Sequence, residues 1–389
     1  MIDVASGNQS GSPLVPVLGL SFFAVASGFL MSLIPLSLKA NGLPADLAPW
    51  LASIFYLGLL IGAFTIQRIV AVTGHRIAFV IFLLLLTLTV AVQVVWAGEV
   101  TWLAARLVAG IAVAGVFVVV ESWLLMTDTA KARAKRLGLY MTSLYGGTAV
   151  GQLAIKPLGI DGALPYLVVI GLLLVAAMVP LLVRSGQPNQ HQCEPLRLKE
   201  LKVLSRPAIM GCLVSGLVLG PVYGLMPLYI AQTDYAPKTG LLMAVIILGG
   251  MLVQPLVSYL SPRCSKRLLM AGFCAMGGLS VMGIAWAAEL SVIMGCYLLL
   301  GACSFALYPV AIALACDGLP VTKIVAATEF MLLSYSIGSV AGPLLAANTG
   351  ITSQGLPVYL AVCLIATSLY MLLSSNRRVP ANDPPVANL

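Results

Sequence analysis

The sequence predicts an all-α integral membrane protein with twelve transmembrane helices in two pseudo-symmetric halves of six. Composition is the first observation: 60% of the 389 residues are hydrophobic and 9% are charged, with a mean hydropathy of +1.03. An ordinary soluble domain does not carry so little charge. The second is a series of long apolar runs, and the third is an internal repeat. Because the backbone must satisfy its own hydrogen bonds in lipid, such runs are predicted to be helices.

A helix needs about 20 mostly apolar residues to cross the hydrocarbon core. Applied in chain order, this length places the predicted spans near residues 13–37, 48–67, 76–96, 101–126, 137–157, 162–183, 207–231, 239–260, 267–288, 291–316, 324–347 and 352–374. The only long polar stretch inside the chain, residues 184–206, is the predicted linker between an N-terminal half, 1–183, and a C-terminal half, 207–376. Residues 377–389 form the predicted tail.

The second half repeats the first at a nearly constant offset. Only Gly, Pro and Arg are compared, because Leu, Val and Ala match by chance in apolar sequence. One pair is 192 positions apart and five are 191 apart: Pro35 and Pro227, then Gly58 and Gly249, Arg76 and Arg267, Gly110 and Gly301, Gly147 and Gly338, Gly151 and Gly342. Repeated halves of this kind build a shared site between them in many transporters.

Basic residues predict the orientation, since Lys and Arg are retained on the cytoplasmic side of short loops. Seventeen of them fall in one set of segments, whereas the alternate set holds three, Lys39, Lys156 and Lys238. Both termini and the linker are therefore predicted to be cytoplasmic. The same bias explains the net charge of +8, so a nucleic-acid partner has no support.

Loop and helix motifs give the arrangement a family resemblance. Between spans two and three, Gly74 and Arg76 match the end of a Gly-x3-Asp-Arg-x-Gly-Arg/Lys-Arg/Lys pattern, and Lys266 and Arg267 match it in the second half, without the acid in either loop. Twelve helices in two repeated halves with these loops resemble the major facilitator superfamily. The basic residues are placed to meet helix C-termini or lipid phosphate.

Small residues in the inner spans fit the same resemblance. Arg106 and Gly110 resemble the Arg-x3-Gly pattern of span four, and Gly147 and Gly151 have the spacing of the antiporter motif in span five. Gln152 stands where that motif has proline, which weakens a drug/proton antiporter interpretation. Because span eleven keeps the spacing and the proline, close helix packing is the safer interpretation of both motifs, and it rests on Gly338, Gly342 and Pro343.

Longer strings resemble one branch, the YcaD-like transporters of bacterial inner membranes. These matching stretches of sequence contain Glu121, Gly151, Pro221, Tyr223, Pro227, Tyr308 and Tyr335. The resemblance implies transport across the inner membrane without naming the cargo.

Three ionisable residues inside the predicted spans are functional candidates, because a charge there costs about 2.5–3.5 kcal/mol on insertion scales. Glu121 is assigned to proton coupling or substrate contact, with a structural hydrogen bond to the next helix as the alternative. Arg106 is assigned to helix bracing or proton coupling before direct cargo contact. Glu329 has either a cavity role or a water-exposed position at its helix end. Fifteen residues separate Arg106 from Glu121, or about 22 Å along a helix, so they cannot pair.

Five tyrosines fall in spans that line the central cavity in proteins of this resemblance: Tyr56, Tyr145, Tyr223, Tyr308 and Tyr335. As a group they suggest amphipathic walls for a moderately hydrophobic or cationic cargo. Prolines in the inner spans are expected to kink them and allow hinge motion, at Pro35, Pro221 and Pro227 among others.

The sequence therefore predicts a secondary active transporter that works by alternating access and couples to protons through Glu121. Its expected partners are a small-molecule substrate, the proton and membrane lipid. A uniporter and a non-transporting membrane scaffold or assembly factor of the same fold are the alternatives. An enzyme is disfavoured because no nucleotide loop or nucleophile–base pattern is present. No metal or cofactor is expected, since the eight cysteines include no CxxC pair.

Overall fold

The computed structural model describes residues 14–125, 130–182, 205–317, 321–350 and 355–376. These ranges fold into helices and connecting turns, with no strand among them. The predicted all-α class is therefore confirmed. The predicted linker 184–206, apart from its last two residues, and the predicted tail 377–389 lie outside the described residues.

The described residues form thirteen α-helices. The first half of the chain contains α1 Leu14–Leu36, α2 Leu47–Val95, α3 Glu99–Leu125, α4 Ala130–Leu153, α5 Ile155–Leu158 and α6 Leu164–Leu182. The second half contains α7 Arg206–Gly224, α8 Met226–Ala231, α9 Thr239–Leu260, α10 Lys266–Trp286, α11 Leu290–Cys316, α12 Val321–Asn348 and α13 Gly355–Asn376.

Eleven segments of the described chain are long and apolar enough to cross a membrane, and α2 supplies two of them. The predicted fifth span corresponds to α4, which is not among the eleven because small and polar residues and the bases of its first turns lower its hydropathy. Predicted spans two and three run together through α2, which is broken by Gly74 at φ 78°. Glycine is needed there because other residues rarely adopt a positive φ.

Equivalent helices pack in equivalent ways in the two halves. Helix α2 lies along α3 as α9 lies along α11, and α1 lies along α4 as α7 lies along α12. At the α2–α3 crossing, a Cβ on Gly58 would overlap the carbonyl of Leu107, and a Cβ on Gly110 would overlap the carbonyl of Phe55. Their repeat mates make the same backbone contacts between α9 and α11, at Gly249 and Gly301.

The other repeated glycines serve the second pair of crossings. Gly147 and Gly151 of α4 face the backbone of α1, and Gly338 and Gly342 of α12 face α7. Small residues at these positions let the helix backbones approach closely.

The prolines named from the sequence lie inside helices of both halves. Pro35 is in the last turn of α1, Pro221 is inside α7 and Pro343 is inside α12. Predicted span seven is broken at Leu225, after which the short α8 begins at Met226 with Pro227 in its first turn. Proline fits the first turn of a helix because no partner is required for its nitrogen.

The loop bases of the two repeats make matching contacts. Arg76 donates from Nη2 to the Leu181 carbonyl at 2.9 Å, near the end of α6, and Arg267 donates from Nη1 to the Ser374 carbonyl at 2.8 Å, near the end of α13. Carbonyls in the last turn of a helix have no hydrogen-bond partner within the helix, and a cation is favoured there. Lys266 instead pairs at 2.7 Å with Asp317, which follows α11.

The halves meet through α4 against α9 and α12 against α2, a second symmetric pair of contacts. Two close approaches join the halves at one end: Gly224 packs on Ala52 near the start of α2, and Gly240 at the start of α9 packs on the carbonyl of Gln152 at the end of α4. We call this the packed end of the interface. Buried leucines surround it, among them Leu33, Leu38, Leu47, Leu51 and Leu225.

Candidate functional site: a cavity between the two halves

A cavity of about 750 Å³ lies between the halves. Its wall is formed by α1, α2, α3 and α4 on one side and by α7, α9, α11 and α12 on the other. Both halves therefore contribute four helices. The volume falls in the range of sites for small molecules.

The wall is mainly apolar and aromatic, with few polar groups. Among the described residues on it, Arg106 is the basic one and Glu121 the acidic one. Apart from the hydroxyls of five tyrosines, uncharged polar groups come from Ser27, Thr148, Gln254 and Ser336. Both ionisable residues belong to α3, so one helix carries the charge of the cavity.

Arg106 lies on the part of the wall nearer the packed end. Its guanidinium carbon is 4.2 Å from the ring centroid of Phe55, in a cation–π contact. The Nε atom is buried and has no hydrogen-bond partner among the described residues. Within the part of the chain that the structure describes, the cation therefore contacts an aromatic ring and no carboxylate.

Glu121 lies on the part of the wall away from the packed end. The Tyr140 hydroxyl of α4 donates a 2.8 Å hydrogen bond to its Oε1 atom. The Glu121 side chain is nevertheless exposed, whereas Tyr140 is buried behind it. The carboxyl group therefore has one fixed partner and one side open to the cavity.

The five predicted tyrosines all lie on the cavity wall: Tyr56, Tyr145, Tyr223, Tyr308 and Tyr335. Tyr145 of the first half meets the ring of Phe305 of the second half at a centroid distance of 5.5 Å, and Tyr223 meets the same ring at 5.7 Å. Tyr308 and Tyr335 meet each other at 5.0 Å. These edge and tilted contacts form an aromatic layer across the interface.

Glu329 is not brought to the cavity. It lies in the third turn of α12 with an exposed side chain, and it is not part of the lining. Within the described ranges, no group of three or more His, Cys, Asp or Glu residues could hold a metal ion.

Several cavity and support residues were not identified from the sequence. They are Tyr140, Phe55, Phe305 and Gln152. Gln152 is fully buried: its Oε1 accepts a 2.6 Å hydrogen bond from the Ser32 hydroxyl, and its Nε2 donates to the Gly28 carbonyl at 2.6 Å. The available signal was its place in the antiporter motif, where the side chain differs from the expected proline.

The comparisons with known proteins agree with this architecture. The model of the Major Facilitator Superfamily matches residues 17–377. An uncharacterized MFS-type transporter of Enterobacter sp. (strain 638) is 31% identical over 386 residues, which cover 96% of this chain and 98% of that protein. The uncharacterized MFS-type transporter YcaD of Salmonella typhi is 31% identical, with 95% and 97% covered.

Solved structures resemble the fold at low sequence identity. A bacterial homolog to the human lysosomal transporter Spinster, in an inward-facing and occupied conformation, has a TM-score of 0.76 and 14% identity, with 95% of this chain and 98% of that chain covered. The nucleoside transporter NupG has a TM-score of 0.75 and 10% identity, with 94% and 98% covered. Family model, relatives and fold agree, and the chain belongs to the major facilitator superfamily of membrane transporters.

Proposed function

We propose that this transporter is a secondary active carrier that works by alternating access and is coupled to protons through Glu121. The observation that carries the proposal is the open carboxyl group of Glu121 on the wall of a cavity shared by both halves. Intramembrane carboxyl groups that face a cavity are the usual carriers of protons in pumps and transporters.

Alternating access is supported by the way the halves contact each other. Apolar residues and close approaches fill the packed end, where Gly224 meets Ala52, while Glu121 is exposed toward the other end. Rocking of one half against the other would separate the packed end and close the Glu121 end around the same cavity. With the orientation predicted from the basic residues, the Glu121 end faces the cytoplasm of a bacterial cell, and both termini lie on that side.

Tyr140 gives the proposed coupling group a fixed geometry. Its hydroxyl donates to Glu121 from the neighbouring helix at 2.8 Å, so α4 senses the state of a carboxyl group on α3. A protonated and an ionised carboxyl group differ in how strongly they accept that hydrogen bond. Proton binding can therefore bias how the two helices pack.

The scaffold alternative is less well supported than transport, because a scaffold does not need an open cavity with Arg106 and Glu121 on its wall. The uniporter alternative keeps transport and assigns Glu121 a structural role. It differs from the proposal in a single measurable property, the response of cargo flux to a proton gradient.

The test uses the parent protein in proteoliposomes that contain a pH-sensitive dye. A panel of organic anions, lipophilic cations and neutral amphiphiles is first ranked by thermal stabilisation, since bound ligand stabilises by mass action. The best compound is then labelled and its uptake followed with and without an imposed pH gradient. We expect the gradient to drive accumulation and the cargo to cause a pH change inside. Flux that ignores the gradient would establish the uniporter instead.

A further inference from the structure

Arg106 is a cation on the cavity wall for which the described residues provide no compensating anion. Among the described residues, its contact is the ring of Phe55 at 4.2 Å, and its buried Nε has no hydrogen-bond partner. An unpaired charge away from water is costly, and buried charges in proteins are normally paired. A cation–π contact offsets part of this cost but supplies no acceptor for the N–H of the buried Nε.

The acid of the cavity cannot supply the missing partner. Glu121 is on the same helix, fifteen residues further on, which places it about 22 Å away along the axis. One of its oxygens also accepts from Tyr140. The bracing role suggested by the family resemblance requires the guanidinium to donate to nearby carbonyls, and the buried Nε makes no such bond within the described chain.

The surroundings of Arg106 indicate what kind of molecule would pair with its positive charge. The cavity wall is made mainly of apolar and aromatic side chains, and one of them, Phe55, contacts the guanidinium. An acidic group held by a guanidinium is bound through two parallel hydrogen bonds, and its apolar body would lie against these side chains. One cation on an apolar wall matches a single negative charge, whereas a dianion would leave one charge unpaired.

We propose that the cargo is an amphipathic organic monoanion, such as an aryl or alkyl carboxylate, whose acidic group binds the guanidinium of Arg106. This inference rests on the proposed transport function and narrows it to a substrate class. It also replaces the broader expectation, based on tyrosines alone, of a hydrophobic or cationic cargo.

The test compares three probes that share one apolar body and differ in charge: 4-phenylbutyrate, its neutral amide and 4-phenylbutylamine. Binding to the purified full-length protein is measured calorimetrically in detergent at one pH. We expect the carboxylate to bind at least tenfold more tightly than the amide or the amine. Tightest binding of the amine, or no binding by any carboxylate in a series of longer and shorter chains, overturns the proposal.

Two variants assign the preference to Arg106. The Arg106→Gln change is expected to weaken carboxylate binding at least tenfold and to leave the amide unaffected, while Arg106→Lys retains part of the preference. Equal carboxylate affinity in the parent and in Arg106→Gln overturns the proposal. Size-exclusion profiles check folding. If the Gln variant does not fold, the order of probe affinities in the parent and in Arg106→Lys decides whether Arg106 binds the carboxylate.

The experiment separates this inference from the proposed coupling. Binding is measured at equilibrium without a gradient, so the carboxylate preference of the parent protein is read independently of whether its flux responds to a gradient. A protein that binds the carboxylate but ignores the gradient contradicts proton coupling and retains the anion site. A protein that responds to the gradient but prefers the amine contradicts the anion site alone.

Discussion

The hydroxyl of Tyr140 donates a 2.8 Å hydrogen bond to Oε1 of Glu121, and it does so from the helix next to the one that carries the carboxyl group. This pair joins α3 to α4, and α4 also packs on α9 of the other half. The proposed coupling group is therefore connected through Tyr140 and α4 to the interface between the two halves.

Loss of the Tyr140 hydroxyl is expected to impair coupling without abolishing transport. A hydrogen bond to a charged group contributes about 1.5–3 kcal/mol, so Tyr140→Phe is expected to lower gradient-driven flux roughly tenfold. Exchange of labelled for unlabelled cargo without a gradient is expected to stay within about twofold of the parent value. Tyr370→Phe, on α13 and away from the cavity lining, is the matched control. Unchanged gradient-driven flux in Tyr140→Phe would assign this bond a purely structural role.

The repeated helix crossings are expected to be equally sensitive in the two halves. A methyl group at Gly110 would overlap the carbonyl of Phe55, and one at Gly301 would overlap that of Ile246. Overpacking of this kind costs about 1–3 kcal/mol, so each Ala variant is expected to unfold several degrees below the parent. Gly138→Ala is the control, because nothing lies within 4 Å of a Cβ there. Thermal unfolding in detergent measures all three, and equal melting of Gly110→Ala and Gly138→Ala would contradict the packing account.

Gln152 is expected to hold α4 against α1. Gln152→Leu leaves the buried Ser32 hydroxyl without its acceptor, which costs about 1–3 kcal/mol. It also removes the bond to the Gly28 carbonyl, which keeps its backbone partner inside α1. Ser32→Ala removes one of the two bonds and is expected to destabilise less. A double-mutant cycle from unfolding in denaturant checks the coupling between Gln152 and Ser32. Strict additivity of the two changes would show that this bond does not contribute.

Closure of the packed end is expected to depend on a small residue at position 224. A Cβ on Gly224 would collide with the Cβ of Ala52 on the other half, so Gly224→Val should favour the state in which this end is open. We expect slower exchange of cargo, by fivefold or more, with binding retained. Gly272→Val on α10, where a Cβ has open space, is the control. Exchange at the parent rate in Gly224→Val would argue against closure at this contact.

The fold was predictable because it depends on properties that are visible along the chain. Apolar runs give the spans, and Gly, Pro and Arg recur because they occupy equivalent crossings, as Gly110 and Gly301 do. The limits of the helices were less predictable. The chain stays helical on both sides of Gly74, and span seven breaks at Leu225, because backbone dihedral angles and a nearby proline, and not hydropathy, set these points.

The site was partly predictable for a different reason. An ionisable residue inside a span is conspicuous in one sequence, so Arg106 and Glu121 were identified, as were the tyrosines of the inner spans. Their contact partners, Tyr140 and Phe55, were not identified. Tyrosine and phenylalanine are common in apolar spans, and each contacts its charged residue from a different helix. Glu329 was placed by the same rule as Glu121, but its position in the third turn of α12 leaves it exposed and away from the cavity lining.

The most direct test of the account measures two fluxes for Glu121→Gln in the same proteoliposomes: uptake driven by an imposed pH gradient, and exchange of labelled for unlabelled cargo without one. The amide cannot release a proton but preserves the size of the side chain and can still hydrogen-bond to Tyr140. We predict that gradient-driven uptake is lost while exchange remains. Accumulation at the parent level under the gradient would contradict Glu121 as the coupling group.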